Sequence, residues 1–143
     1  MPTELTPSRV EPDVRIGVLI SVEMVRLYKE QFTRPKRAST FWAGPDALVA
    51  ILEDTLSLKE RGMVEQGEHE RLRDKRSSAQ YSKVREFCEP IERITGRKVR
   101  SFLSATDTKV DGLSMETFLL HPVGYDGPSR TDSEPSTSRI AGR

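Results

Sequence analysis

The residues with the most chemical content in this chain are six cations in two triplets. Arg34, Lys36 and Arg37 follow the end of one predicted helix, and Arg97, Lys98 and Arg100 follow the end of another. Guanidinium forks and ammonium groups held side by side suit an anion, from bicarbonate or phosphate to a nucleotide. If the two triplets meet in space, they form one anion-binding patch and a small-anion or nucleotide sensor. A plainer explanation is that cations gather near helix C-termini, where the helix dipole favours them.

The remaining reactive side chains point to little chemistry. His69 sits in a charged helical run and His121 begins a polar tail, and neither has a His or Cys neighbour to complete a metal site. Cys88, the single cysteine, lies beside Phe87 in an apolar helical pattern and reads as a buried structural thiol. Asp107 and Asp111 flank a predicted hairpin turn, and turn propensity accounts for them. There is no Gly-rich phosphate loop, no nucleophile elbow, and no CxxC or HExxH spacing. The expectation is a protein with no catalytic residue, no metal and no cofactor, which works by binding.

The elements that position these residues follow from periodicity and punctuation. Residues 1–12 are proline-bearing with few large apolar residues and read as a disordered arm. A helix is predicted over Asp13 to Phe32, with Val18, Val22, Val25 and Phe32 near one face. Thr33-Arg34-Pro35 ends it. Lys36 to Trp42 and Ala47 to Glu53 read as two strands joined by the turn Gly44-Pro45-Asp46. Leu56 to Gln66 reads as a short helix with Thr55 or Ser57 as its cap. Glu68 to Thr95 reads as one long helix, kinked or split near Cys88 and Glu89 because Pro90 lies inside it. The dense charges of Glu70 to Arg76 suggest a solvated face. Gly96 suits the left-handed position that closes a helix. Lys98 to Ser104 and Leu113 to Leu120 form a second hairpin, and residues 123–143 read as a disordered tail.

The two helix–hairpin units look like an internal repeat, with Phe32-Thr33-Arg34-Pro35-Lys36 matching Ile94-Thr95-Gly96-Arg97-Lys98. The fold class expected is α+β: a single domain over 13–122, with a four-stranded antiparallel sheet and helices packed on one face. Alternation in the second hairpin assigns Val99, Leu103, Leu113, Met115 and Leu119 to the helix side. It leaves Phe102, Phe118 and Leu120 on the opposite face, where a homodimer is the expected cover.

The charge balance, 23 basic against 22 acidic residues, argues against stable nucleic-acid binding. A lone cysteine, no apolar run of about 20 residues and no basic-then-apolar leader fit a cytoplasmic protein that does not span a membrane.

Ile94-Thr95-Gly96-Arg97-Lys98-Val99, Phe102-Leu103-Ser104 and Met115-Glu116-Thr117-Phe118-Leu119-Leu120 resemble the C-terminal half of the MpsC-like family of small bacterial proteins, also called YbcI-like. Val25-Arg26-Leu27-Tyr28-Lys29-Glu30 resembles that family's N-terminal helix. The resemblance spans about Ile16 to Pro122. It implies a soluble accessory or regulatory component of a membrane-potential-generating, sodium- or bicarbonate-linked transport system, with subunits of that membrane complex as partners. It carries over no catalytic residue.

Overall fold

A computed structural model describes the backbone over residues 7–133 and side chains over 12–132. In chain order the elements are α1 (Pro7–Gln31), β1 (Arg37–Trp42), β2 (Ala47–Glu53), α2 (Leu58–Glu65), α3 (His69–Tyr81), α4 (Val84–Thr95), β3 (Val99–Asp107) and β4 (Leu113–Leu120), followed by a 3₁₀ turn at Arg130–Ser133. The four strands form one antiparallel sheet in the order β1-β2-β4-β3. The first strand of each hairpin is therefore an edge, and the second strands meet at the centre. The helices lie on one face, which is the α+β architecture expected.

Local chemistry sets most boundaries. Ser57 caps α2 in a reciprocal box, its hydroxyl accepting from Glu60 N at 3.2 Å while Glu60 Oε1 accepts from Ser57 N at 2.9 Å. Gly96, at φ 72°, closes α4 in the left-handed region that a side chain resists. Gly17 serves a different need. A Cβ there would stand 2.7 Å from the Thr40 carbonyl oxygen, so only glycine lets α1 lie so close to β1.

The core joins Ile20, Met24, Leu27 and Tyr28 of α1 to Phe87, Cys88 and Ile91 of α4 over Leu48, Leu52, Phe102, Phe118 and Leu120 of the sheet. This corrects the expected faces of the second hairpin. Phe102, Phe118 and Leu120 lie on the helix side and are at most 2% exposed. Leu103, Leu113, Met115 and Leu119 lie on the bare side, and of the residues assigned inward only Val99 is buried. Two causes combine. A bulge between Val99 and Ser101 shifts the alternation of β3, so that Val99 and Phe102 both point inward. In β4 the inward set is Ser114, Glu116, Phe118 and Leu120, two of them polar.

Three further expectations change. The long helix over Glu68 to Thr95 is two helices, broken at Ser82 and Lys83, and Pro90 sits buried inside α4 without breaking it. The first helix begins at Pro7, so the expected arm over 1–12 is helical from there, and residues 1–6 lie outside the described residues. The expected disordered tail over 123–143 folds back in its first part. Tyr125 stacks on His121 at 3.7 Å, and the buried Ser129 donates through Oγ to Glu92 Oε2 of α4 at 2.5 Å. Residues 134–143 lie outside the described residues.

Candidate functional site

The six cations do not form one patch. Arg37 pairs with Glu53 at the end of β2, and Leu52 pairs with Ser114 at the start of β4. Val99 pairs with Leu120, at the other end of β4. The two triplets thus stand at opposite ends of the sheet and on opposite edges, diagonally across it. Their tasks differ as well. The Arg97 guanidinium donates to the carbonyls of His121 and Pro45, each at 2.9 Å, and to Asp46 Oδ1 at 2.5 Å. Lys98 Nζ donates to the Gly127 carbonyl. Arg97 pins the returning chain and the first hairpin's turn to the end of α4, and Lys98 pins the returning chain. Arg100, Arg34, Lys36 and Arg37 are exposed, with Arg37 only 3.9 Å from Glu53.

The other candidates also serve the fold. His69 Nδ1 lies 2.9 Å from the Thr108 hydroxyl, and Cys88 is fully buried in the core. Asp107 holds its own turn by accepting from Lys109 N at 2.9 Å.

Beneath the sheet lies a cluster that pattern reasoning missed. Arg76, in the run expected to be a solvated face, is 1% exposed and reaches Glu60 Oε1 at 3.2 Å. Its other donors meet the Thr55 carbonyl at 3.1 Å and hydroxyl at 3.2 Å, and its guanidinium stacks over the Phe32 ring at 3.7 Å. Glu116, on β4, accepts at Oε2 from the Tyr28 hydroxyl and from Gln80 Nε2. Glu116 Oε1, Arg76 Nε and Ser104 Oγ have no hydrogen-bond partner among the described residues. Burial raises the Glu116 carboxyl to about 7, against the donor groups of Tyr28, its cross-strand neighbour Ser104 and Gln80 and the charge of Arg76. Burial and the neighbouring carboxyl likewise push the Tyr28 phenol well above its usual value. The direction for Glu116 follows from burial, since a neutral carboxyl is cheaper to bury than a carboxylate.

The bare face of the sheet is the opposite case. Phe41, Leu103, Leu113 and Met115 are 46%, 56%, 40% and 39% exposed, and no described helix covers them. Cross-strand register sets Phe41 and Leu103 in one row across the sheet. Phe41 neighbours Val49, Val49 neighbours Thr117, and Thr117 neighbours Leu103. Along β1 a groove of about 660 Å³ runs between the strand and the exposed side of α1, with Arg34, Lys36 and Arg37 at one end.

The family model for MpsC, described as a Na+-translocating membrane potential-generating system, matches residues 15–121. The chain belongs to the MpsC family. No curated protein and no solved structure matches it. The match runs from α1 through the end of β4, so it takes in the interior cluster, the bare sheet face and the β1 groove alike. Among the described residues of this MpsC chain, no helix is long and apolar enough to cross a membrane.

One signal could have exposed the interior cluster. Tyr28 and Arg76 occupy the phase of core positions in their helices, alongside Met24 and Leu72. The polar residues of β4, Ser114 and Glu116, share the phase of Phe118 and Leu120. Read together, those two phases place an ion and a carboxyl inside one core.

Proposed function

We propose that this chain is a non-catalytic accessory or regulatory component of a membrane-potential-generating system, acting through protein contact. The observation that carries the reading is the bare sheet face, which exposes the apolar side chains of Phe41, Leu103, Leu113 and Met115. Exposed apolar area on one face of a small domain marks an interaction site, and aromatic and Met side chains are favoured at the centre of protein interfaces. The family description supplies the setting, a Na+-translocating membrane system. The interior cluster supports binding over catalysis in a further respect. Glu116 and Arg76 are sealed at 0% and 1% exposure, so the raised Glu116 carboxyl has no open route to a substrate.

The six-cation anion sensor has less behind it, because the triplets are apart and Arg97 and Lys98 are occupied. The expected homodimer needs a surface other than Phe102, Phe118 and Leu120, which are core residues.

The test is co-purification of the tagged chain with the membrane subunits of its own transport system from native cells. Wild type should retain those subunits, and the double variant Leu103→Asp with Met115→Asp should lose them while keeping its circular dichroism. Retention by the folded double variant would remove the sheet face from the argument. Turnover of a defined substrate that is abolished by Cys88→Ser or His121→Ala, with folding intact, would overturn the binding reading.

A further inference from the structure

The edge strand β1 and the exposed side of α1 are unsatisfied in a shared way. Ala43 N donates to Ala47 O at 2.8 Å, so Ala43 and Ala47 form a hydrogen-bonded pair of the β1–β2 ladder. Such pairs recur every second residue in an antiparallel ladder. Ser39 and Phe41 therefore spend their main-chain groups on β2. Ala38, Thr40 and Trp42 turn theirs away from β2, toward the edge and its groove, with Gly17 of α1 lying over the Thr40 carbonyl. Free edges of this kind are templates for pairing with another strand.

Beside that edge, α1 presents Val14, Val18 and Val22, which are 60%, 57% and 60% exposed and line the groove. Spaced by four, they form one stripe along the helix. The chain passes from the end of α1 into β1 through a short turn, so the two run antiparallel. Their centres coincide, because Ser21 Oγ meets Thr40 Oγ1 at 2.9 Å and Gly17 lies against the Thr40 carbonyl. Val18, the middle of the stripe, stands between those two contacts in sequence. Thr40 is the middle of the three outward residues.

We propose that a second copy of this chain docks here, about a two-fold axis that passes by Val18 and Thr40. One axis then serves both elements. It sets Val18 against Val18 of the second copy, and Val14 against Val22. It brings the two β1 edges together antiparallel, with Ala38 opposite Trp42, and joins two four-stranded sheets into one of eight strands. A two-fold interface must be self-complementary, each patch meeting its own image. A stripe and an edge with coincident centres meet that condition, whereas two unrelated patches do not. Charge agrees with the same axis. It carries Asp13, next to Val14 at the far end of the stripe, toward Arg34, Lys36 and Arg37 of the other copy. These cations are exposed at the end of the groove, and the one salt bridge among them and the described residues is Arg37 with Glu53 at 3.9 Å. The bare sheet face stays open in such a dimer, so this inference stands apart from the proposed membrane partner.

The experiment measures the mass of the full chain by sedimentation equilibrium and locates the contact by cysteine cross-linking. Wild type should be a dimer. Val18→Cys, on the axis, should form an intermolecular disulfide rapidly, while Leu103→Cys on the bare face should not. The native thiol, Cys88, is fully buried and stays silent. Val18→Glu should weaken the dimer by about 10-fold or more, since a charge in an apolar contact costs at least the energy of one decade. The amides of Ala38 and Thr40 should be protected from exchange in wild type and exposed in that variant. Val18 is already exposed in the single chain, so the variant should fold. A wild type that stays monomeric at its highest soluble concentration overturns the proposal. So does a dimer that cross-links through Leu103→Cys and not Val18→Cys, or one whose Ala38 and Thr40 amides exchange freely.

Discussion

The two faces of β4 invert the usual rule of a sheet. Toward the helices it points Ser114 and Glu116, both 0% exposed, as well as Phe118 and Leu120. Toward the bare side it points Leu113, Met115 and Leu119. An antiparallel sheet with one wet face normally places the polar set outside. The inner polar residues are tolerated because two helices bring partners to them: Tyr28 from α1, and Arg76 and Gln80 from α3. The outer apolar residues have no such partners among the described residues. The difference teaches that polarity in this sheet tracks where partners come from, with partners inside the chain for the polar residues and, under the proposed function, partners outside it for the apolar ones.

If that holds, neighbouring residues of one strand should respond very differently to truncation. Phe102 touches the Tyr81, Phe87 and Phe118 rings at 5.3 to 5.5 Å and is 2% exposed. Phe102→Ala should cost about 3–5 kcal/mol in urea unfolding, the transfer and cavity terms of a buried aromatic ring. Arg76→Ala should cost a similar amount, about 3–5 kcal/mol, because it leaves the Glu60 carboxylate buried and unpaired. A loss under about 1 kcal/mol in either case would mean that the interior is looser than its hydrogen bonds imply.

The next effect is a pH dependence that only the inner face should show. Glu116 has a folded pKa of about 7 against 4.5 when unfolded. Folding therefore retains a proton that the unfolded chain releases. Stability from this group is fully present below pH 4.5 and declines as pH rises through about 7. A raised value of that size corresponds to about 3 kcal/mol across the window. Glu116→Gln keeps the neutral shape and cannot ionise, so its unfolding free energy should lose this slope and exceed that of wild type at pH 8. The measurement is urea unfolding at intervals from pH 4 to pH 8. An identical slope in the variant would assign the proton elsewhere.

The sequence made the hairpins, the Ser57 cap and the Gly96 stop legible because each depends on a few adjacent residues with strong conformational preferences. It did not disclose the α3–α4 break at Ser82 and Lys83, where neither residue is a strong breaker and Pro90 draws attention to the wrong place. The bulge at Val99 to Ser101 has no local signature either, and it reversed the inferred faces of Phe102 and Leu103. Charged residues such as Arg76 and Glu116 read as surface residues in a sequence, because charge ordinarily stays in water. Their burial depends on partners 16 to 88 residues away, such as Glu60 for Arg76 and Tyr28 for Glu116. The cation triplets show the converse problem. Their positions after helix ends were right, but the sheet order put them on opposite corners.

The smallest effect on stability is also the sharpest test of the comparison. Leu103 follows Phe102 in the chain, yet it is 56% exposed on the bare face, opposite Thr117. Leu103→Ser removes apolar area that the isolated chain never buried well, so it should shift stability by no more than about 0.5 kcal/mol. Together with Met115→Ser it should still fold at full strength, and its solubility should rise as the apolar patch shrinks. Capture of the membrane subunits should fall all the same. Stability and partner binding would then separate cleanly between adjacent positions of one strand: Phe102 governs the first and Leu103 the second. A Leu103→Ser loss approaching that of Phe102→Ala would mean that part of this chain already covers the bare face, and the sheet would have no side left to offer a partner.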